Sequence, residues 1–335
     1  MNRLDDASRI EIPIDLESRS WVLNIFGTHD RNLRLLERTL QIQCTLSRDA
    51  LRIRGEEPGI AIASRIIRFL LEMYREAGGA STMITDKHLK YYIRQLKQNP
   101  ELEMMEIAGQ SLRVSRSGKI IRSLGAGQAA YLKAIRNDSI VFGIGPAGTG
   151  KTYLAMAYAI SQLIQDSIRR IIMIRPVVET GESLGYLPGD LAQKINPYLR
   201  PLYDAIFEMI GFEAYQQYEE NGRIEVAPLA YMRGRTLNDS VIILDEAQNS
   251  TFAQMKMLLT RLGTNSRMII TGDITQIDLP TWNSSGLITA MRILKDVDGI
   301  SFVRFSRADV VRHRLVQEVI AAYDRYEAQR KQVSG

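Results

Sequence analysis

The chain has 335 residues, 43 of them basic and 38 acidic, with 45% hydrophobic residues and a single cysteine. That length exceeds the usual single domain, and the apolar share is enough for more than one core, while a formal charge of +5 is too small an excess to define a polyanion-binding protein. Cys44 alone excludes an intrachain disulfide and a cysteine-rich metal cluster; packing in a strand is its expected role. His29, His88 and His313 are too scattered for a zinc site. No eighteen-residue apolar run and no charged-then-apolar leader occurs, so the expectation is a cytoplasmic protein that contacts no membrane.

In chain order, Trp21 to Gly27 reads as a strand and Asp30 to about Leu40 as a helix with Leu33, Leu36 and Leu40 on one face. Ile42 to Leu46 and Ala50 to Gly55 form a predicted hairpin, and Gly59 to Ala77 a helix burying Ile62, Ile66, Phe69, Leu70 and Met73. The resulting division is a small α+β module over 1–77, a linker with a helix and a basic hairpin over 78–126, a large domain over 127–325 and a tail over 326–335 that is prone to fraying. In the linker, Gly78 to Thr82 is a flexible joint, Asp86 to Gln98 a helix, and Leu112 to Arg122 a hairpin turning at Ser117-Gly118. From Ile107 to Asn137 six basic residues (Arg113, Arg116, Lys119, Arg122, Lys133 and Arg136) occur with no acid, a composition that counterion release makes attractive to a polyanion.

The most informative segment follows a helix over about Gly127 to Arg136. The apolar run Ser139 to Ile144 reads as a buried strand and leads into Gly145-Pro146-Ala147-Gly148-Thr149-Gly150-Lys151-Thr152, then a helix from Tyr153 to about Gln165. This is the G-x-x-x-x-G-K-[ST] phosphate loop: glycines let the backbone aim N–H groups at an anion, the helix start adds its dipole and Lys151 a full charge. Thr152 supplies a hydroxyl suited to Mg²⁺, which prefers oxygen ligands and bridges terminal phosphates. A second buried strand, Val241 to Leu244, ends in Asp245 and Glu246. Asp245 is the expected Mg²⁺ carboxylate, and Glu246 the group that orients and polarises the attacking water. A third, Arg267 to Thr271, runs into Gly272-Asp273-Ile274-Thr275-Gln276. Ligands of a doubly wound sheet lie outside the carboxyl ends of its strands, so Gln276 is placed to sense the γ-phosphate or its water, with Asp273 in support.

The order of these pieces resembles the helicase-type P-loop ATPases of superfamily 1. A fuller likeness is to the PhoH-like proteins: besides the phosphate loop the chain carries Arg175-Pro-Val-Val-Glu179-x-Gly-Glu182-x-Leu-Gly185-Tyr-Leu-Pro-Gly-Asp190, Pro197-Tyr198-Leu-Arg-Pro201, Leu244-Asp245-Glu246-Ala-Gln248-Asn249 and Asp309-Val-Val-Arg312-His313. The resemblance covers roughly residues 120 to 323. It implies a RecA-like, mostly parallel sheet, ATP and Mg²⁺ as ligands, ATP or general nucleoside triphosphate hydrolysis, association with RNA, and a homo-oligomer, often a ring. A nucleotide-regulated scaffold for RNA or an RNA-processing protein partner is the alternative that the residues leave open. By the same comparison Gln128, in Gly127-Gln128-x-x-Tyr131, pairs with the adenine edge through its amide. Arg312, on a helix that starts at Ser306 with Asp309 as its capping-box partner, compensates γ-phosphate charge in cis or across a subunit boundary. Arg175 is a candidate for a phosphate or strand contact.

Two regions carry less definite expectations. Between Arg175 and Ala227, repeated Gly and Pro predict a loop with short helical pieces over the active face. The amino-terminal module looks KH-like, yet where a KH domain has GXXG this chain has Gly27-Thr28-His29-Asp30, with an acid in place of the second glycine. The module is therefore read either as an RNA-binding element or as a docking and assembly element.

Overall fold

The structure, a computed structural model, describes residues 8–13, 22, 25–47, 50–76, 86–104, 112–115, 120–123, 125–177, 191–281, 285–306, 309–310, 319 and 323. Its amino-terminal part is built on three antiparallel strands, β1 (Ser8–Pro13), β2 (Gln43–Leu46) and β3 (Ala50–Gly55), in the order β1-β3-β2. Helices α1 (Arg31–Leu40), α2 (Gly59–Glu76) and α3 (Asp86–Gln98) cover it. Their apolar stripes close one core, in which Leu36, Ile53, Ile66, Leu70, Leu89, Tyr92 and Leu96 are buried. Helix α3, read from sequence as part of a linker, thus belongs to this first core. The paired strands β4 (Leu112–Arg113) and β5 (Ile120–Ile121) instead send Leu112, Val114 and Ile121 into the core of the large sheet.

One expectation fails here. Ile25 and Phe26 lie in helical backbone, not in a strand, and both are buried; a short apolar run does not by itself distinguish a buried strand from a buried helical turn. The strand that completes the sheet is β1, whose Ile10 and Ile12 alternate with Arg9 and Glu11.

The large sheet has six parallel strands, β6 (Ile140–Ile144), β7 (Arg170–Arg175), β8 (Ile224–Pro228), β9 (Ser240–Leu244), β10 (Arg267–Gly272) and β11 (Ile300–Arg304), in the order β11-β6-β10-β9-β7-β8. Successive residues serve opposite faces. Val141, Met173, Ile243 and Ile269 pack beneath α4 (Ala126–Asn137), α5 (Lys151–Ile164) and α6 (Leu191–Ile210). Phe142, Ile172, Leu244 and Ile270 pack on the other side against α8 (Phe252–Leu259) and α9 (Gly286–Ile293), α7 (Phe212–Glu220) having followed α6 on the first side. A parallel sheet covered on both faces explains why its strands read as unbroken apolar runs. This is the RecA-like P-loop architecture.

The segment after Arg175 departs from expectation. It contains a 20-residue helix, α6, which runs through Pro197 and Pro201. Each proline removes one backbone donor, but Leu199, Leu202, Ile206 and Met209 recur at helical spacing and are buried. Tertiary burial outweighs the local breaker. Among the described residues no helix is long and apolar enough to cross a membrane.

Candidate active site

The phosphate loop is shaped by its neighbours on both sides. The Gly145 N–H donates to Gly272 O of β10 at 3.1 Å, extending the ladder past the end of β6. On the other flank Phe305 N–H donates to Ile144 O at 2.7 Å, and a Cβ added at Gly145 would lie 2.5 Å from Phe305 O. Gly148 and Gly150 take φ of 82° and 83°, the left-handed region in which glycine alone is unstrained. Helix α5 then begins at Lys151, leaving first-turn N–H groups without intrahelical acceptors at the mouth of the loop. Buried Lys151 folds its ammonium back onto the loop: Nζ donates to Gly145 O at 2.7 Å, Pro146 O at 2.8 Å and Thr149 Oγ1 at 3.3 Å.

Across from this loop stand the carboxyl ends of β9 and β10. The Asp245 carboxylate is buried, and its Oδ1 accepts from Thr152 Oγ1 at 2.6 Å and Thr271 Oγ1 at 2.7 Å. Thr271 is a participant that the sequence reading passed over; its one signal is a hydroxyl at the end of the apolar run Met268-Ile269-Ile270. Glu246 follows in the left-handed region at φ 53°. One of its oxygens accepts from Arg175 Nη2 at 3.4 Å and the other from Gln248 Nε2 at 2.5 Å. Gln248 is also a newly visible member of the site: it is buried, and its Oε1 accepts the Asp273 N–H at 3.0 Å. Asp273 in turn shapes the following turn, its Oδ1 accepting from Thr275 N and Oγ1 and its carbonyl from the Gln276 N–H.

A cavity of about 240 Å³ gathers Ala147, Gly148, Gly150, Lys151, Thr152, Asp245, Glu246, Asp273 and Gln276 on one wall system. Lys151 and Asp245, distant along the polypeptide, therefore face the same space. Gly145, Pro146 and Thr149 form the back of the loop, where they receive the Lys151 ammonium. Gln128, buried on α4, braces the loop from behind, its Nε2 donating to Thr149 O at 2.9 Å. At Ser306 the acid's half of the predicted capping box is formed, with Asp309 Oδ2 accepting from Ser306 N at 2.8 Å. Arg312, Glu179, Glu182, Asp190, the Ser117-Gly118 turn and the tail from 326 lie outside the described residues.

Among the described residues the basic run from Ile107 to Asn137 does not form one surface. Arg113 and Lys133 are exposed, whereas Arg122 is part-buried and acts on His88 and Tyr92 of α3. Arg136 lines a separate cavity at the opposite end of the sheet, and Arg116 and Lys119 lie outside the described residues.

The oxygen-donor set fits a magnesium ion with few protein ligands. Thr152 offers a hydroxyl and Asp245 a carboxylate within 2.6 Å of each other. Among the described residues no group of three or more His, Cys, Asp or Glu could hold a metal by itself. Mg²⁺ in phosphate sites takes one or two carboxylates and completes its shell with water and phosphate.

A glycine loop between a strand and a helix, a lysine within it and a carboxylate at the end of a facing strand define a nucleotide-binding protein of the P-loop NTPase type. Residues 120–324 match the PhoH-like protein family. The chain is similar to the PhoH-like protein of Bacillus subtilis (strain 168), at 47% identity over 311 residues, covering 92% of this chain and 96% of that one. It is similar also to the PhoH-like protein of Mycobacterium tuberculosis (strain ATCC 25618 / H37Rv), 48% identical over 320 residues (96% and 88%). Protein PhoH of Escherichia coli (strain K12) is 47% identical over 213 residues (63% and 60%). The chain belongs to the PhoH-like family.

Proposed function

We propose that this protein is a Mg²⁺-dependent ATPase whose hydrolytic cycle is coupled to RNA binding or remodelling. The observation that carries the reading is the convergence of Lys151, Thr152, Asp245, Glu246 and Gln276 on one cavity. On nucleotide binding the Lys151 ammonium exchanges loop carbonyls for β- and γ-phosphate oxygens, and the N–H groups at the start of α5 meet the same anion. Thr152 and Asp245 hold Mg²⁺, which when bound neutralises phosphate charge. Glu246 orients a water whose oxygen forms a bond to the γ-phosphorus as the bond to the β–γ bridging oxygen breaks. The water's proton passes through the carboxylate to the phosphate product, and ADP leaves with the bridging oxygen's negative charge. Gln276, on the wall of the same cavity, is assigned to sense the γ-phosphate or its water, and Gln128, whose Nε2 holds Thr149 O, is assigned to the adenine edge. Arg312 is assigned charge compensation on the transferring group, in cis or from a neighbouring copy. The setting we infer is cytoplasmic and homo-oligomeric, with RNA and an RNA-processing protein as partners.

Steady-state phosphate release by wild type and Glu246→Gln, each with and without single-stranded RNA, tests the reading. Hydrolysis that RNA stimulates and that the substitution lowers by about a hundredfold or more supports it. An unchanged rate in Glu246→Gln removes that residue from its role. RNA-dependent assembly that survives Glu246→Gln but fails in Lys151→Ala points to a scaffold instead.

A further inference from the structure

A second cavity, of about 490 Å³, opens beside the nucleotide cavity and shares Glu246 and Gln276 with it. Its other walls include Arg175, Tyr198 and Asn249. Arg175 is the last residue of β7, and its guanidinium bridges two elements: Nη1 donates to Tyr198 O of α6 at 3.1 Å, and Nη2 to Glu246 Oε1 at 3.4 Å. The first contact ties the guanidinium to a helix; the second is long and part-exposed, hence easily exchanged. Gln248 holds the other Glu246 oxygen and is itself fixed by the Asp273 N–H. The carboxylate thus has one fixed anchor and one labile one, both on the wall of the second cavity.

We propose that Arg175 is a positioning residue that parks Glu246 while the second cavity is empty, and that a phosphate of single-stranded RNA entering this cavity takes over the guanidinium and releases Glu246 to its water. This rests on the ATPase reading above and assigns its coupling step to a particular contact. The chemistry of the walls suits one nucleotide of a flexible strand: a guanidinium for phosphate, an aromatic residue, Tyr198, for a base face, and the amide of Gln276 for a base edge. The other acid on the wall, Asp278, is engaged by Asn249, which donates to its Oδ2 at 3.0 Å and accepts its N–H at 2.8 Å. A phosphate and the Glu246 carboxylate repel one another at a shared guanidinium, so arrival of the polymer itself drives Glu246 away from Arg175. Gln248 keeps hold of one oxygen of the released carboxylate, whose residue lines both cavities.

The test is steady-state phosphate release by full-length wild type, Arg175→Ala, Arg175→Lys and Glu246→Gln, with and without oligouridylate. Arg175→Ala is expected to raise kcat without RNA by about threefold or more, to leave KM for ATP unchanged, and to reduce RNA stimulation to less than about twofold. Arg175→Lys keeps the charge but cannot span Tyr198 O and Glu246 together, and falls between wild type and Arg175→Ala. A basal kcat in both Arg175 variants at or below wild type, with stimulation intact, overturns the proposal. Activation in Arg175→Ala together with no RNA response in wild type supports the clamp and overturns the nucleic acid as its ligand. Loss of the proposal is distinct from loss of the ATPase reading, because the latter alone is decided by Glu246→Gln.

Discussion

Glu246 occupies a backbone conformation that non-glycine residues seldom adopt, at φ 53°, and its strain, of order 1–3 kcal/mol, is sustained by the buried strand before it and the Gln248 contact after it. The conformation turns the chain sharply after Asp245, so that two adjacent acids have different surroundings: Asp245 is buried against Thr152 and Thr271, and Glu246 stands between two cavities. On the opposite wall, the Lys151 ammonium waits on loop carbonyls that phosphate oxygens would replace. Lys151→Ala removes a charge-assisted contact of about 2 kcal/mol, so equilibrium titration with a fluorescent ATP analogue is expected to show Kd raised about 30-fold. An unaltered Kd would mean that the triphosphate does not reach this lysine. Chelation of Mg²⁺ is expected to weaken binding to wild type, and the difference between chelated and Mg²⁺-loaded samples is expected to shrink in Asp245→Asn, which retains an oxygen but loses the negative charge that holds the ion. An equal Mg²⁺ response in that variant would place the ion elsewhere.

At the scale of elements, the loop depends on how closely α4 and β6 approach. A Cβ added at Gly143 would lie 2.7 to 2.9 Å from the ring and hydroxyl of Tyr131, itself fully buried and set edge-on to Phe305. Gly143→Ala is therefore expected to cost about 1–3 kcal/mol by overpacking, read as a lower urea midpoint at constant slope. The double variant with Tyr131→Leu is expected to recover part of it; equal loss in both would point away from this contact. The elements that the sequence made legible are those with unambiguous periodicity: the buried strands β6, β9 and β10, and the amphipathic helices α1, α2 and α3. The misreadings have physical causes. At α6, Pro197 and Pro201 outweighed an apolar spacing that the fold buries. At Ile25 and Phe26, four or five apolar residues carried no information on period. Of the site, the ends of strands and the loop were visible because their residue types are demanded by phosphate and metal. Thr271, Gln248 and the bridging geometry of Arg175 were not, because a hydroxyl, an amide and a guanidinium acquire their roles only when β7, β9 and β10 stand side by side.

For the whole molecule the question is how the first core communicates with the large sheet. Among the described residues helix α3 carries an electrostatic link: burial, with the Arg122 guanidinium adding to it, lowers the pKa of its His88, and burial, with the Asp309 carboxylate adding to it, raises that of its Tyr91. Asp309 lies against the start of α4, within 2.6 Å of where a Cβ at Gly127 would stand, on the helix that braces the phosphate loop through Gln128. His88 gives this junction a pH signature. Burial, with Arg122 adding to it, holds the imidazole down at about 4 from its ordinary 6.5. As pH falls below 6.5 the unfolded chain takes up the proton while the folded one does not, so stability is lost between pH 6.5 and about 4 and levels off below. By pH 5 the loss from this residue is about 2 kcal/mol. Urea unfolding of wild type and His88→Gln at pH 7 and pH 5 isolates it. The substitution lowers stability at pH 7 through lost packing but is expected to remove about 2 kcal/mol of the pH-dependent loss. Equal pH dependence in the two proteins would show that the imidazole is solvated in the folded state and that α3 does not seal against Arg122. A flattened profile would assign that share of the acid sensitivity to the burial of the neutral His88 imidazole on α3.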